Sequence, residues 1–180
     1  MLKKISFILI FISSFSLVKA QMHPLIESAD MNKINTIRDF IKKEGLINNW
    51  LKSNVSTLIK DIKEYDKITI KDKIIENKIE TASIVILTYL FIYMNFTDFL
   101  ENDDDNKKII KEYIRSLNWD KEINDLSPQT KTKLDEIVEK NIIYITLSEP
   151  DDNSSDKILN EKKKKLDEYL DITIKSINSY

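Results

Sequence analysis

From Ile84 to Phe96 the chain reads IVILTYLFIYMNF, its densest apolar run outside the extreme N-terminus. Leading into and through this run, Ile75, Ile79, Ala82, Ile86, Tyr89 and Tyr93 step by four, three, four, three and four. That is the spacing of one face of a helix. Inside the run itself every face is apolar, which predicts a helix enclosed by other helices. The β-branched and aromatic content would suit a strand as well. The length of the segment and its amphipathic lead-in from Asp72 favour the helix.

The same reading extends along the rest of the chain. Ser28 or Asp30 can cap a first helix, because either side chain can accept a hydrogen bond from the free amides of the first turn. Its stripe is Ile34, Ile37, Phe40 and Ile41, and Gly45 is placed to end it with a left-handed residue. A second helix over Leu46 to Tyr65 repeats a heptad spacing at Leu51, Val55, Leu58, Ile62 and Tyr65, widened by Trp50 and Ile59. Lys67 to Lys71 alternates and reads as a short extended connector. Beyond the central helix, the polar ENDDDN of 101–106 makes a break. One of Asp103, Asp104 and Asp105 caps a fourth helix with Ile110, Tyr113, Ile114 and Leu117 on its buried side. A connector over 118–126 carries Trp119. Ser127-Pro128 then gives the clearest start signal, a capping hydroxyl followed by proline at the first helical position. The helix it opens buries Leu134, Ile137, Val138, Ile142 and Ile145 and ends before Pro150. After an acidic linker (EPDDNSSD), a last helix over about 157–178 carries Leu159, Leu166, Tyr169, Leu170, Ile174 and Ile177. It is expected to pack along one edge. The prediction is all-α: a single bundle of about five to six helices around a central apolar helix, filling 30–180.

Composition changes the picture mainly at the N-terminus. Lys3 and Lys4, the apolar stretch Ile5 to Val18 and the ending Val18-Lys19-Ala20 are laid out as a secretory signal peptide, with cleavage expected after Ala20. Residues 21–29 (QMHPLIESA) show no period and read as an N-terminal arm. Cleavage would remove three lysines and no acid, leaving 25 basic against 30 acidic residues, a net charge of −5. Such a balance offers no general attraction to nucleic acid or anionic lipid. Cysteine is absent, so the fold relies on its core even where export would permit disulfides. One glycine and three prolines argue for long helices over turn-rich sheets.

The apolar central helix preceded by NKIETA, the acidic break, and LNWDKEINDLSPQTKTKLDEI leading into another apolar helix together resemble small exported bacterial all-helical proteins of unassigned function. The likeness covers Asn77 to Leu147. It implies a fold and an address outside the cytoplasm, and no activity.

Candidate chemistry is sparse. His23, the only histidine, would stand third after cleavage, where a free amine, two backbone amides and an imidazole can form the square-planar nitrogen site favoured by Cu(II) or Ni(II). A single histidine without cysteine rules out the usual nucleophile–base pairs. The HExxH, phosphate-loop and G-x-S-x-G patterns are missing, and no cofactor is implied. Asp151, Asn153 and Ser155 alternate as in a calcium loop. However, Asp156 sits where the turn glycine belongs and Lys162 where the bidentate glutamate belongs. That cluster and Asp103–Asp105 therefore read as solvated caps and turns, and Lys162–Lys165 as a solvated helix face. Asn54, Asn95 and Asn153 open glycosylation sequons. Tyr89, Tyr93 and Phe96, with Phe91, could line an apolar pocket, although core packing is the plainer use of such residues. The expectation is an exported, non-catalytic interaction module whose partner is a protein or envelope component. A carrier of an apolar small molecule and a membrane-active protein that exposes its central helix are the alternatives.

Overall fold

The computed structural model describes residues 29–68, 72–96, 108–109, 112–113, 115–117, 124–145 and 156–180. In chain order its helices are α1 (Met31–Glu44), α2 (Asn49–Lys67), α3 (Lys73–Asn95), α4 (Pro128–Ile145) and α5 (Asp156–Asn178). No strand occurs among the described residues. The chain is an all-α bundle in which α3 packs against α1, α2, α4 and α5.

The starts of α1 to α4 each follow from a side chain that satisfies an orphan amide. Asp30 accepts from the amide of Asn32 (2.9 Å) and Asp72 from that of Ile74 (2.7 Å). Ahead of Pro128, Ser127 Oγ accepts from the Thr130 amide at 3.3 Å. The start of α2 differs from the expectation at Leu46: the helix begins at Asn49, because Asn48 takes the capping position and accepts from the Leu51 amide at 2.9 Å. Gly45 ends α1 at φ +82° and ψ 161°, more extended than the left-handed cap expected. A Cβ there would meet nothing within 4 Å, so the backbone angles and not lack of space call for glycine.

From Ser83 to Tyr93 every residue of α3 is buried, as an apolar surface on all sides requires. Around it lie Ile34, Ile37 and Ile41 of α1, and Leu51, Val55, Leu58, Ile62 and Tyr65 of α2. Leu134, Ile137 and Val138 come from α4, and Leu166, Tyr169, Leu170 and Ile177 from α5. Trp50 is fully buried, whereas Ile59 only borders the core. The last helix is more than an edge: it packs against α1, α3 and α4. Between 108 and 117 the described residues are helical up to Ser116, and Tyr113 and Leu117 lean on the core. Ile110, Ile114, Trp119 and the side chains of Ile142 and Ile145 lie outside the described residues.

Ion pairs fasten the outside. Lys33 of α1 reaches Asp167 (2.9 Å) and Asp171 (2.7 Å) of α5. On α4, Lys133 meets Glu76 at 2.6 Å and Lys140 meets Glu80 at 2.7 Å, both on α3. Asp66, near the end of α2, accepts from the Ser127 amide at 2.9 Å and anchors the entry to α4. Burial pushes its carboxyl up, but hydrogen bonds from Ser127 and Thr130 outweigh that and hold it below its ordinary value.

Candidate functional site

Helices pack with axes roughly 8–10 Å apart, and only large side chains fill the space between them. Toward the N-terminal half of α3, the facing positions of α2, α3 and α5 carry small residues instead. Thr57, Thr81, Ala82, Ser176 and Ser179 stand there, and a trough of about 860 Å³ opens between the helices. Val85, Ile74 and Ile172 contribute apolar surface, and Asn54, Asn77, Asp61, Lys78 and Lys175 contribute amide and charged groups. Asp61 is buried, while Ile74 is 67% exposed. The trough thus offers hydroxyls, amides, one carboxylate and two ammonium groups beside an aliphatic strip. That inventory suits recognition by hydrogen bonds and apolar contact. The hydroxyl of Ser179 is already engaged, donating to the Ser176 carbonyl at 2.9 Å.

The aromatic residues singled out from sequence sit elsewhere. Tyr89 is completely buried, with its ring 4.8 Å from that of Trp50, which in turn meets Phe40 edge-on at 5.6 Å. Asn48 Nδ2 donates to the Tyr89 hydroxyl (3.0 Å) and to the Gly45 carbonyl (2.8 Å). The phenol donates to the Leu46 carbonyl at 3.0 Å, with that of Gly45 at 3.2 Å. Burial holds the Tyr89 phenol far above its ordinary value, opposed only in part by the Asn48 contact. Tyr89 is therefore a neutral donor that ties the α1–α2 turn to the central helix. Tyr93 is also in the core, and Phe96 caps α3 half-buried, edge-on to Phe91 with centroids 6.4 Å apart. His23 lies outside the described residues, as do Asp103–Asp105, Asp151, Asp152 and the side chain of Asp156. Among the described residues no three metal-ligating side chains come together. Asn54 and Asn95 are inside helices with their amides donating to the carbonyls of Trp50 and Phe91, each at 2.9 Å; Asn153 is outside the described residues.

Two features escaped the sequence reading. One is the trough, built from helices distant in the chain, for which no single-helix period gives a sign. The other is a buried polar pair: Tyr169 donates to Asn141 Oδ1 at 2.6 Å and the Asn141 amide donates to the Ile137 carbonyl at 2.8 Å. Asn141 interrupts an otherwise apolar stripe, and that interruption was its only signal. Comparison of the chain with known protein families, with curated proteins and with solved structures finds no match.

Proposed function

We propose that the chain is an exported, non-catalytic interaction module that presents the α2–α3–α5 trough to a protein or envelope component. The observation that carries this reading is the trough itself, a surface channel shared by helices α2, α3 and α5 and lined by polar and aliphatic groups. Carriers of small apolar molecules enclose most of the ligand surface. Here Tyr89 is packed against Trp50, Tyr93 is in the core, and the recognition groups lie at the surface. The resemblance to exported helical proteins and the N-terminal layout of 1–20 support the address.

The export half is tested by N-terminal sequencing of protein recovered outside the cytoplasm, which should begin at Gln21 or its cyclised form. Intact Met1 in a cytoplasmic pool would overturn it. The recognition half is tested by capture from the native envelope fraction with the wild-type chain and with Thr81→Trp. Thr81 is exposed and lines the trough, so the indole should fill it without disturbing the fold. Loss of the captured partner with Thr81→Trp is the expected result, and an unchanged set of partners would count against the trough.

A further inference from the structure

The modest net charge of the chain conceals a segregation of charge around the α2–α3 hairpin. On α2, Lys52, Lys60, Lys63 and Lys67, with Ser56 between the first two, step by four, four, three and four, and all are exposed. They form one outward stripe. On α3, Lys73 and Lys78 are exposed at the same end of the hairpin, since Lys67 closes α2 and Lys73 opens α3. Most of the neighbouring acids are engaged or buried. Glu76 and Glu80 pair with Lys133 and Lys140 of α4, Asp66 holds the Ser127 amide, and Asp72 caps α3. Asp61 is buried in the trough, which leaves Glu64 as the exposed carboxylate on that face of α2. Lys60, Lys67, Lys73 and Lys78 make no ion pair among the described residues.

Amid these lysines, at the end of the hairpin, stand two exposed isoleucines, Ile68 at 38% and Ile74 at 67%. One exposed aliphatic residue is ordinary on any surface. Two at one helix-hairpin end, beside exposed lysines, have the composition of a surface that meets headgroups and the first acyl carbons together. A soluble polyanion would use the charge and leave the isoleucines in water.

We propose that the end of the α2–α3 hairpin docks on an anionic lipid surface, with Lys60, Lys67, Lys73 and Lys78 facing the headgroups and Ile68 and Ile74 entering the interface. No described helix is long and apolar enough to cross a membrane, and the docking is peripheral. It also leaves the central helix buried. The inference goes beyond the trough reading: Ile74 and Lys78 also line the trough, whereas Lys60, Lys67, Lys73 and Ile68 lie outside its lining.

The test is co-sedimentation of the full chain with vesicles of phosphatidylcholine, with and without roughly a third phosphatidylglycerol. Wild type should bind the anionic vesicles and release as salt is raised. Each lysine near such a surface is worth about five-fold in partitioning, so Lys60→Gln/Lys67→Gln/Lys73→Gln together should weaken binding about a hundred-fold. These positions are exposed, and unchanged circular dichroism should accompany the loss. Ile74→Ser should lower vesicle binding several-fold while leaving any binding to soluble polyphosphate unchanged. Equal binding to neutral vesicles, or a triple lysine variant that binds like wild type, would overturn the proposal. So would an Ile74→Ser chain with undiminished vesicle binding, which would reassign the basic face to a soluble polyanion. The triple lysine variant leaves the trough lining untouched and should still capture the envelope partner, so failure of the trough reading and failure of the lipid reading are separately visible.

Discussion

Tyr89 ties the turn between α1 and α2 to the central helix. Its ring fills the space beside Trp50, and its hydroxyl is shared by Asn48, Leu46 and Gly45. Tyr89→Phe keeps the ring and deletes the hydroxyl, leaving buried polar groups short of a partner, and should cost about 1–3 kcal/mol. Thermal or urea melts against wild type measure that cost. The pH dependence follows from the same burial. Because the folded phenol titrates above its unfolded value, the neutral form is favoured in the fold. Its contribution is complete below the ordinary tyrosine pKa of about 10 and is lost as pH rises beyond it. Wild type should therefore lose stability in that alkaline window, and Tyr89→Phe should show the shallower slope. Tyr65 and Tyr113 are also raised, chiefly by burial, so the variant will still lose some stability in that window. Ile68 and Ile74 teach the converse: apolar residue type alone did not tell which isoleucines would be covered.

At the scale of elements, the apolar stripes were legible because burial imposes a period. Ile34, Ile37 and Ile41, then Leu51, Val55, Leu58, Ile62 and Tyr65, and the central run from Ile84 to Tyr93 occupy the core that their spacing predicts. Boundaries were less legible where a cap competes with propensity: Leu46 and Ile47 are apolar, yet Asn48, held by Tyr89, fixes the start of α2 beyond them. The trough was not legible at all, since Thr57, Thr81 and Ser176 look like ordinary surface residues until α2, α3 and α5 are brought together. The central helix gives the sharpest test. Ile86 is buried, and Ile86→Asp would place a lone carboxylate among apolar neighbours at a cost of at least several kcal/mol. Domains of this size are stable by about 5–15 kcal/mol, so the variant should be largely unfolded or aggregated. Ile86→Val should cost only about 0.5–1.5 kcal/mol and fold normally. If Ile86→Asp instead kept its circular dichroism and melted like wild type, α3 would not be the buried axis.

Over the whole molecule, net charge and the distribution of charge carry different information. A balance of −5 for the chain from Gln21 onward argues against anionic partners. The bundle nevertheless directs the acids of α3 toward α4 and leaves the lysines of α2 facing outward. The burial of α3 on every side has a further consequence, for how the chain is made. Lys33 and Asp167 clasp across 134 positions, and α5 supplies one wall of the sheath around α3. During synthesis or translocation the chain emerges from its N-terminus, and Ile84 to Tyr93 appears long before Leu166, Leu170 and Ile177 can cover it. The adjacent α2 covers one side of α3 early, but the side that α5 covers must wait for contacts distant in the chain. A chain stopped after Ser155 should show helical circular dichroism without a cooperative melt, and should bind a hydrophobic dye that the complete chain ignores. Until its last helix arrives, part of the apolar surface of α3 stays uncovered, and any step that stalls the chain there leaves that surface open to aggregation.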